Sequence, residues 1–292
     1  MIQYEGTLYR PPSEARSLIL QATIGCSYNE CSFCGMYRDK RFSVRSLEQL
    51  KAEIAWAAEH AGPVSKVFLA DGDALMAKAR FLEAILDELR SAFPDLRRVS
   101  CYASPQSLQV RSVEEMARLR ERGLSLYYLG IESGSDTVLK TLVKGVDAAE
   151  MIRVAGKATA AGVKLSTMIL LGVGGRTGSL EHALESARVV NAIQPRFVST
   201  LVVTPVPGTP LYEQSERGSW EDLEPIELAA ELRAFLAGLA LRGSIFRSNH
   251  ASNFLALKGN LPRDQSALVA FLDQVLLDPS DAPFVPNELR AL

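Results

Sequence analysis

The chain has 292 residues, is 47% hydrophobic, and sets 32 basic against 34 acidic side chains for a formal charge of −2. It can bury a large core, and without a long run of one charge sign it offers neither a nucleic-acid stripe nor a polybasic membrane patch. No stretch approaches eighteen uninterrupted apolar residues, and the start, MIQYEGTLYRPPSEAR, lacks a signal peptide's apolar run, so a soluble cytoplasmic protein with reduced thiols is expected.

In chain order, the first apolar, β-rich run is SLILQATI (17–24). It leads into GCSYNECSFCGMY (25–37), which holds three of the four cysteines within nine positions. A helix is predicted from Ser46 to about His60, because Leu47, Leu50, Ile54 and Ala57 share a stripe and Ser46 with Gln49 has capping-box spacing. KVFLA (66–70) predicts a second strand, followed by LADGDAL (69–75), and RVSCYAS (98–104) a third. Ser112 with Glu115 starts another helix before the fourth strand, LSLYYLGI (124–131). Asp147 with Glu150 starts the next, before VKLSTMILLGV (163–173). A helix from about Leu180 to Ile193, closed by Pro195, precedes the sixth strand, RFVSTLVVTPV (196–206). Gly62, Gly123 and Gly162 sit just past helical runs, where a left-handed residue is wanted. His60 and His182 fall on helical patterns and are expected at the surface.

The apolar runs are mostly continuous rather than alternating, as expected of parallel strands covered on both faces. Strand then helix, six times over, predicts a partial (β/α)6 barrel, with a flat doubly wound sheet as the alternative. Functional groups should gather at the C-terminal ends of the strands. The barrel is assigned to residues 1–213. Residues 214–292 are read as a helical C-terminal extension packed on it, with helices over about 225–242 and 264–277 around the polar stretch RSNHASN.

The cysteines Cys26, Cys31 and Cys34 follow the first strand with C-x4-C-x2-C spacing. A reducing compartment argues against a disulfide knot. A structural zinc site wants four ligands, usually from two paired knuckles, and here the fourth would have to be Cys101, His60, His182 or His250. A [4Fe–4S] cube held at three corners keeps one iron open for chemistry.

This loop, with Phe33 just before its last cysteine, resembles the cluster loop of the radical S-adenosylmethionine superfamily, although four residues separate the first two cysteines where most members have three. The resemblance implies a [4Fe–4S] cluster on Cys26, Cys31 and Cys34, with S-adenosylmethionine on the open iron. Asp71-Gly72-Asp73 sits where the family often has Gly-Gly-Glu, so Gly72 and Asp73 would hold the ligand's ammonium; an ordinary turn explains the tripeptide as well. YLGIESGSDTVLKTLVKG (128–145) is similar to the fourth-strand motif of coproporphyrinogen oxidase-like and methylthiotransferase-like proteins. By that likeness Glu132 would contact the ribose and Lys144 the ligand's carboxylate; the plain alternative is a capped helix near Ser135 with both charges solvated. Ser104 could hydrogen-bond the nucleoside or simply form a Ser-Pro turn. LLGVGG (170–175) resembles the adenine-supporting fifth-strand motif, though Met168 stands where relatives often carry a polar group. Val203 could pack on adenine or only in the core.

Cys101, inside a strand, reads as a buried structural thiol rather than a hydrogen-atom donor. Arg247, Asn249, His250 and Asn253 could bind substrate or cap the helices beside them. With no second cysteine cluster, an auxiliary iron–sulfur centre is not expected, nor is an RNA-binding domain after the barrel. The resemblance implies an enzyme acting on a small organic substrate with an electron donor such as flavodoxin or ferredoxin. The alternative is a non-catalytic relative that carries haem or another cofactor.

Overall fold

The apolar runs become strands where the sequence places them, and both faces of the early ones are covered. In chain order the computed structural model, which describes residues 1–290, contains β1 (Leu18–Leu20), β2 (Thr23–Ile24), β3 (Ser43–Val44), α1 (Leu47–His60), β4 (Lys66–Leu69), α2 (Ala79–Ala92), β5 (Arg98–Ala103), α3 (Pro105–Val110), α4 (Val113–Glu121) and β6 (Leu124–Glu132). It continues with α5 (Asp136–Thr141), α6 (Ala148–Ala160), β7 (Lys164–Leu171), α7 (Gly175–Ile193), β8 (Phe197–Val202), α8 (Pro210–Glu216), α9 (Pro225–Gly238), β9 (Ser244–Ser248), β10 (Leu257–Leu261) and α10 (Gln265–Leu277). The main sheet runs β1-β4-β5-β6-β7-β8-β9-β10. The expected parallel strands are β1 and β4 to β8, so the fold is α/β with the six strand–helix repeats of the partial barrel.

One compact unit comprises Met1–Asn29, Met36–Leu129 and Val154–Leu165. Here β1 pairs with β4, β4 with β5, and β5 with β6, all parallel. Leu20, Phe68, Leu69, Val99 and Leu129 are buried in the strands, and Leu82, Ile85, Leu86 and Leu89 form the apolar stripe of α2. The first run splits in two, since β2 leaves the main sheet to pair with β3. Ser112 caps α4 in a reciprocal box with Glu115, as its spacing foretold. Glu14, fully buried, accepts from Arg98 and from the Tyr128 hydroxyl, both at 2.6 Å, which satisfies its charge and ties the N-terminal segment under the sheet.

The second unit comprises Glu30–Gly35, Gly130–Arg153 and the chain from Ser166 onward. β7, β8 and β9 are parallel, and β10 closes the edge antiparallel to β9. Helix α9 packs against both α7 and α10. The two helices expected of the extension are present, but two strands lie between them. Expected to reach about 242, α9 ends at Gly238, and Gln265 donates to the carbonyls of Leu236 and Leu239 at its end. Asn253 is buried and bridges strands: it accepts from Val202 N–H at 2.8 Å and donates to Thr200 O at 2.8 Å and Ser248 Oγ at 3.0 Å. Its role in the polar cluster is therefore structural, while Arg247 and Asn249 are exposed.

Candidate functional site

Each unit presents its share of the sequence-selected residues at strand ends. In the first, β4 runs out into Asp71-Gly72-Asp73. Asp71 takes a left-handed backbone with φ of 68°. Its carboxylate accepts from Gly25 N–H at 2.8 Å, from Gln21 at 3.1 Å and from the Lys40 ammonium at 3.1 Å, which anchors the chain just ahead of Cys26. Gly72 donates its N–H to Gly25 O at 3.0 Å. A Cβ at Gly72 would lie 2.7 Å from Cys26 Cβ, so only glycine lets this turn back the cysteine.

Asp73 is fully buried. Its Oδ2 accepts from Ser27 Oγ at 2.5 Å and Ser104 Oγ at 2.6 Å, while Oδ1 has no hydrogen-bond partner. Burial raises the pKa of this carboxyl, and the serine hydrogen bonds pull the other way. Ser104 also caps α3 by accepting from Ser107 N–H at 2.9 Å. The Asp-Gly-Asp turn foreseen as the plain alternative is thus present together with a buried acceptor that lacks a donor, and Ser104 caps a helix where a Ser-Pro turn is the plain reading. Cys101 is completely buried, and burial, reinforced by Asp73, pushes its thiol pKa well up. That fits an inert structural thiol.

In the second unit, Cys31 and Cys34 lie in one turn, with Cys34 N–H donating to Cys31 O at 3.2 Å. Ser32 between them is stitched at three points: its N–H to Leu142 O at 2.9 Å, its hydroxyl to Thr141 O at 3.0 Å, and its carbonyl to Leu211 N–H at 3.0 Å. Glu132, at the end of β6, has φ of 65° and forms an ion pair with Lys144 at 3.0 Å; both are 7% exposed. Burial alone would lower the lysine's pKa, but the Glu132 carboxylate and the sulfurs of Cys31 and Cys34 overcome it, and the pKa is raised. Lys144 therefore stays charged, 5.9 Å from the Phe33 ring centre. Glu132 and Lys144 are thus buried and paired, and the solvated-charge alternative is corrected. Val203 joins Val138, Leu142, Leu170, Val173, Leu211 and Trp220 in an apolar cluster against which Phe33 and Leu201 pack.

His182 is not on the surface. It is fully buried in α7, its Nδ1 lies 2.8 Å from Ser133 Oγ, and its Nε2 lies 3.6 Å from Glu231 on α9. Burial pushes its pKa down to about 4. A signal was available in the sequence: His182, Ser186, Val189, Val190 and Ile193 fall at i, i+4, i+7, i+8 and i+11, the core-facing stripe of a helix. His60, by contrast, is exposed as expected.

Among the described residues no three His, Cys, Asp or Glu side chains converge into a ready-made metal site. The donor chemistry nonetheless suits an iron–sulfur group more than zinc. Three thiols, all partly exposed and none in a disulfide, share one loop, and the fourth cysteine is sealed in β5. The Asp73 acceptor without a donor supplies the complementary feature for a cationic ligand.

Gly72→Ala tests the cradle. The added methyl must displace Cys26, so we expect a loss of about 1–3 kcal/mol in thermal or denaturant unfolding and lower iron uptake than wild type. Unchanged stability and iron would show that the turn does not brace the loop.

A model of the Radical SAM superfamily matches residues 20–189, more than half of the chain. Among solved structures, the chain resembles methylornithine synthase (PylB) at 17% identity and a TM-score of 0.56, covering 92% of this chain and 74% of that one. It resembles the coproporphyrinogen III oxidase HemN from Escherichia coli at 18% identity and a TM-score of 0.58, covering 76% of this chain and 52% of the oxidase. The methyltransferase TsrM from Kitasatospora setae, solved with cobalamin and a [4Fe–4S] cluster bound, matches at 18% identity and a TM-score of 0.56, over 69% of this chain and 39% of its own. At these identities the likenesses concern the fold, and the chain spans about half or less of the oxidase and the methyltransferase.

Proposed function

Because this chain belongs to the radical SAM superfamily, we propose that Cys26, Cys31 and Cys34 hold a [4Fe–4S] cluster, that S-adenosylmethionine binds at its open iron, and that the protein is an enzyme acting on a small organic substrate. Bound there, the reduced cluster and its sulfonium ligand would supply a 5′-deoxyadenosyl radical able to take hydrogen from that substrate.

The chain's own residues then have defined roles. Gly72 lets the backbone approach the ligand, and Asp73 offers its donor-less Oδ1 to the ligand's ammonium, an interaction that strengthens in a site without water. Ser104 and Ser27 hold that carboxylate in place. Lys144 meets the ligand's carboxylate, and Glu132 exchanges part of its ion pair for the ribose hydroxyls. Val203, with the turn of Gly172, supports the adenine, and Phe33 covers the cysteine turn. A flavodoxin or ferredoxin is the proposed reductant.

The observation that carries this reading is the buried ion pair of Lys144 with Glu132 at 3.0 Å, its ammonium 5.9 Å from the ring centre of Phe33 in the cysteine turn. A cation in that position costs desolvation, and an anionic ligand at the cysteine turn would offset it.

The test is anaerobic reconstitution with S-adenosylmethionine and dithionite. We expect release of 5′-deoxyadenosine even without the natural substrate. Persistent absence of that product, together with tight haem binding, would favour a cofactor carrier and overturn the enzyme.

A further inference from the structure

The chain leaving β6 is pinned to one helix at successive residues. Glu132 sits in the left-handed region, where a residue with a side chain needs support from its surroundings. Ser133 Oγ lies 2.8 Å from His182 Nδ1 and accepts the Ser135 N–H at 3.1 Å. Gly134 donates to Ser186 Oγ at 2.9 Å, and a side-chain carbon there would run into the α7 backbone at Glu185 and Ser186. Ser135 Oγ donates to Glu181 at 2.8 Å. His182, Ser186 and Glu181 all lie on α7.

A second layer continues behind the helix. Glu231 on α9 is 2% exposed. Its Oε1 accepts the Gly172 N–H at 2.7 Å and its Oε2 accepts from Ser179 Oγ at 2.5 Å. His182 Nε2 makes no close hydrogen bond of its own and lies 3.6 Å from Glu231 Oε1. Ser133 Oγ accepts from Ser135 and keeps its own hydrogen for a neighbour such as His182 Nδ1. A Ser–His–Glu set invites comparison with a nucleophile and its base, but Ser133 and His182 are both fully buried, so no substrate reaches the hydroxyl.

We propose that Ser133, His182 and Glu231 form a positioning relay that holds Glu132 at the end of β6 and Gly172 at the end of β7 in register for the nucleoside of the cofactor. This rests on the functional reading given above. Directional contacts suit such a role. The hydrogen bonds of Ser133 with His182 and Ser135 fix one strand end, and those of Glu231 with Gly172 and Ser179 fix the other. His182 faces Glu231 at 3.6 Å between them, whereas apolar packing would tolerate a slide of one strand end against the other.

The test is calorimetric binding of S-adenosylhomocysteine to the full chain reconstituted anaerobically, with iron content and melting temperature measured alongside. His182→Leu and Glu231→Leu are expected to bind about tenfold more weakly than wild type at unchanged iron content. Glu231→Gln keeps an acceptor for Gly172 and a partner for Ser179, so it should recover affinity to within about threefold of wild type. That rescue separates positioning from a general loss of packing. Folded, iron-loaded His182→Leu binding as tightly as wild type would overturn the relay. If that variant does not fold, Ser133→Ala decides: several-fold weaker binding supports the relay and equal binding overturns it. A wild-type protein that does not bind the nucleoside would instead sink the functional reading, and the relay's purpose with it.

Discussion

Cys34→Ala, reconstituted under anaerobic conditions, is expected to lose most of its bound iron, while Cys101→Ala retains the wild-type amount. The two thiols differ in every property that governs ligation. Cys34 is partly exposed and lies in a turn with Cys31. Cys101 is sealed in β5, where burial and Asp73 both disfavour the thiolate that a metal requires. A cube anchored by three thiolates that loses one has no fourth donor within its own loop. Equal iron loss in both variants would show that Cys101 is a ligand and that the loop assignment is wrong.

Lys144→Met is expected to lower stability by about 3–5 kcal/mol, because it leaves the Glu132 carboxylate buried without its partner. The same change should remove measurable S-adenosylmethionine binding, since it deletes the cation proposed to meet the ligand's carboxylate. The double variant Glu132→Gln, Lys144→Met separates the two effects. With both charges gone the burial penalty is relieved, so much of the stability should return while ligand binding does not. Urea unfolding and calorimetry report the two quantities independently. Stability and binding that recover together in the double variant would contradict a ligand role for the pair.

The strand runs were legible because parallel strands buried on both faces are mostly apolar without strict alternation, as 98–104, 124–131 and 163–173 are. The cysteine loop, the Asp-Gly-Asp turn and the helix caps at Ser46, Ser112 and Asp147 were legible because each depends on residues a few positions apart. β9 and β10 were missed for the opposite reason. With one covered and one open face, SIFRS mixes Phe246 with exposed Arg247, and LKGNL carries only its two leucines as apolar residues. The pairing partners that make them strands lie elsewhere in the sequence. The ion pair of Glu132 with Lys144 was foreseen as two separate ligand contacts, since twelve residues of spacing say nothing about a turn that folds one side chain back onto the other. Glu231 left no local mark at all: its meaning comes from Gly172 and Ser179, more than fifty positions earlier.

The most direct measurement is electron paramagnetic resonance of the anaerobically reduced protein, with iron, sulfide and zinc counted on the same sample. The account predicts close to four irons and four sulfides per chain, and a signal whose g-values change when S-adenosylmethionine is added. Stoichiometric zinc with no cluster, or a cluster signal indifferent to S-adenosylmethionine, would contradict it.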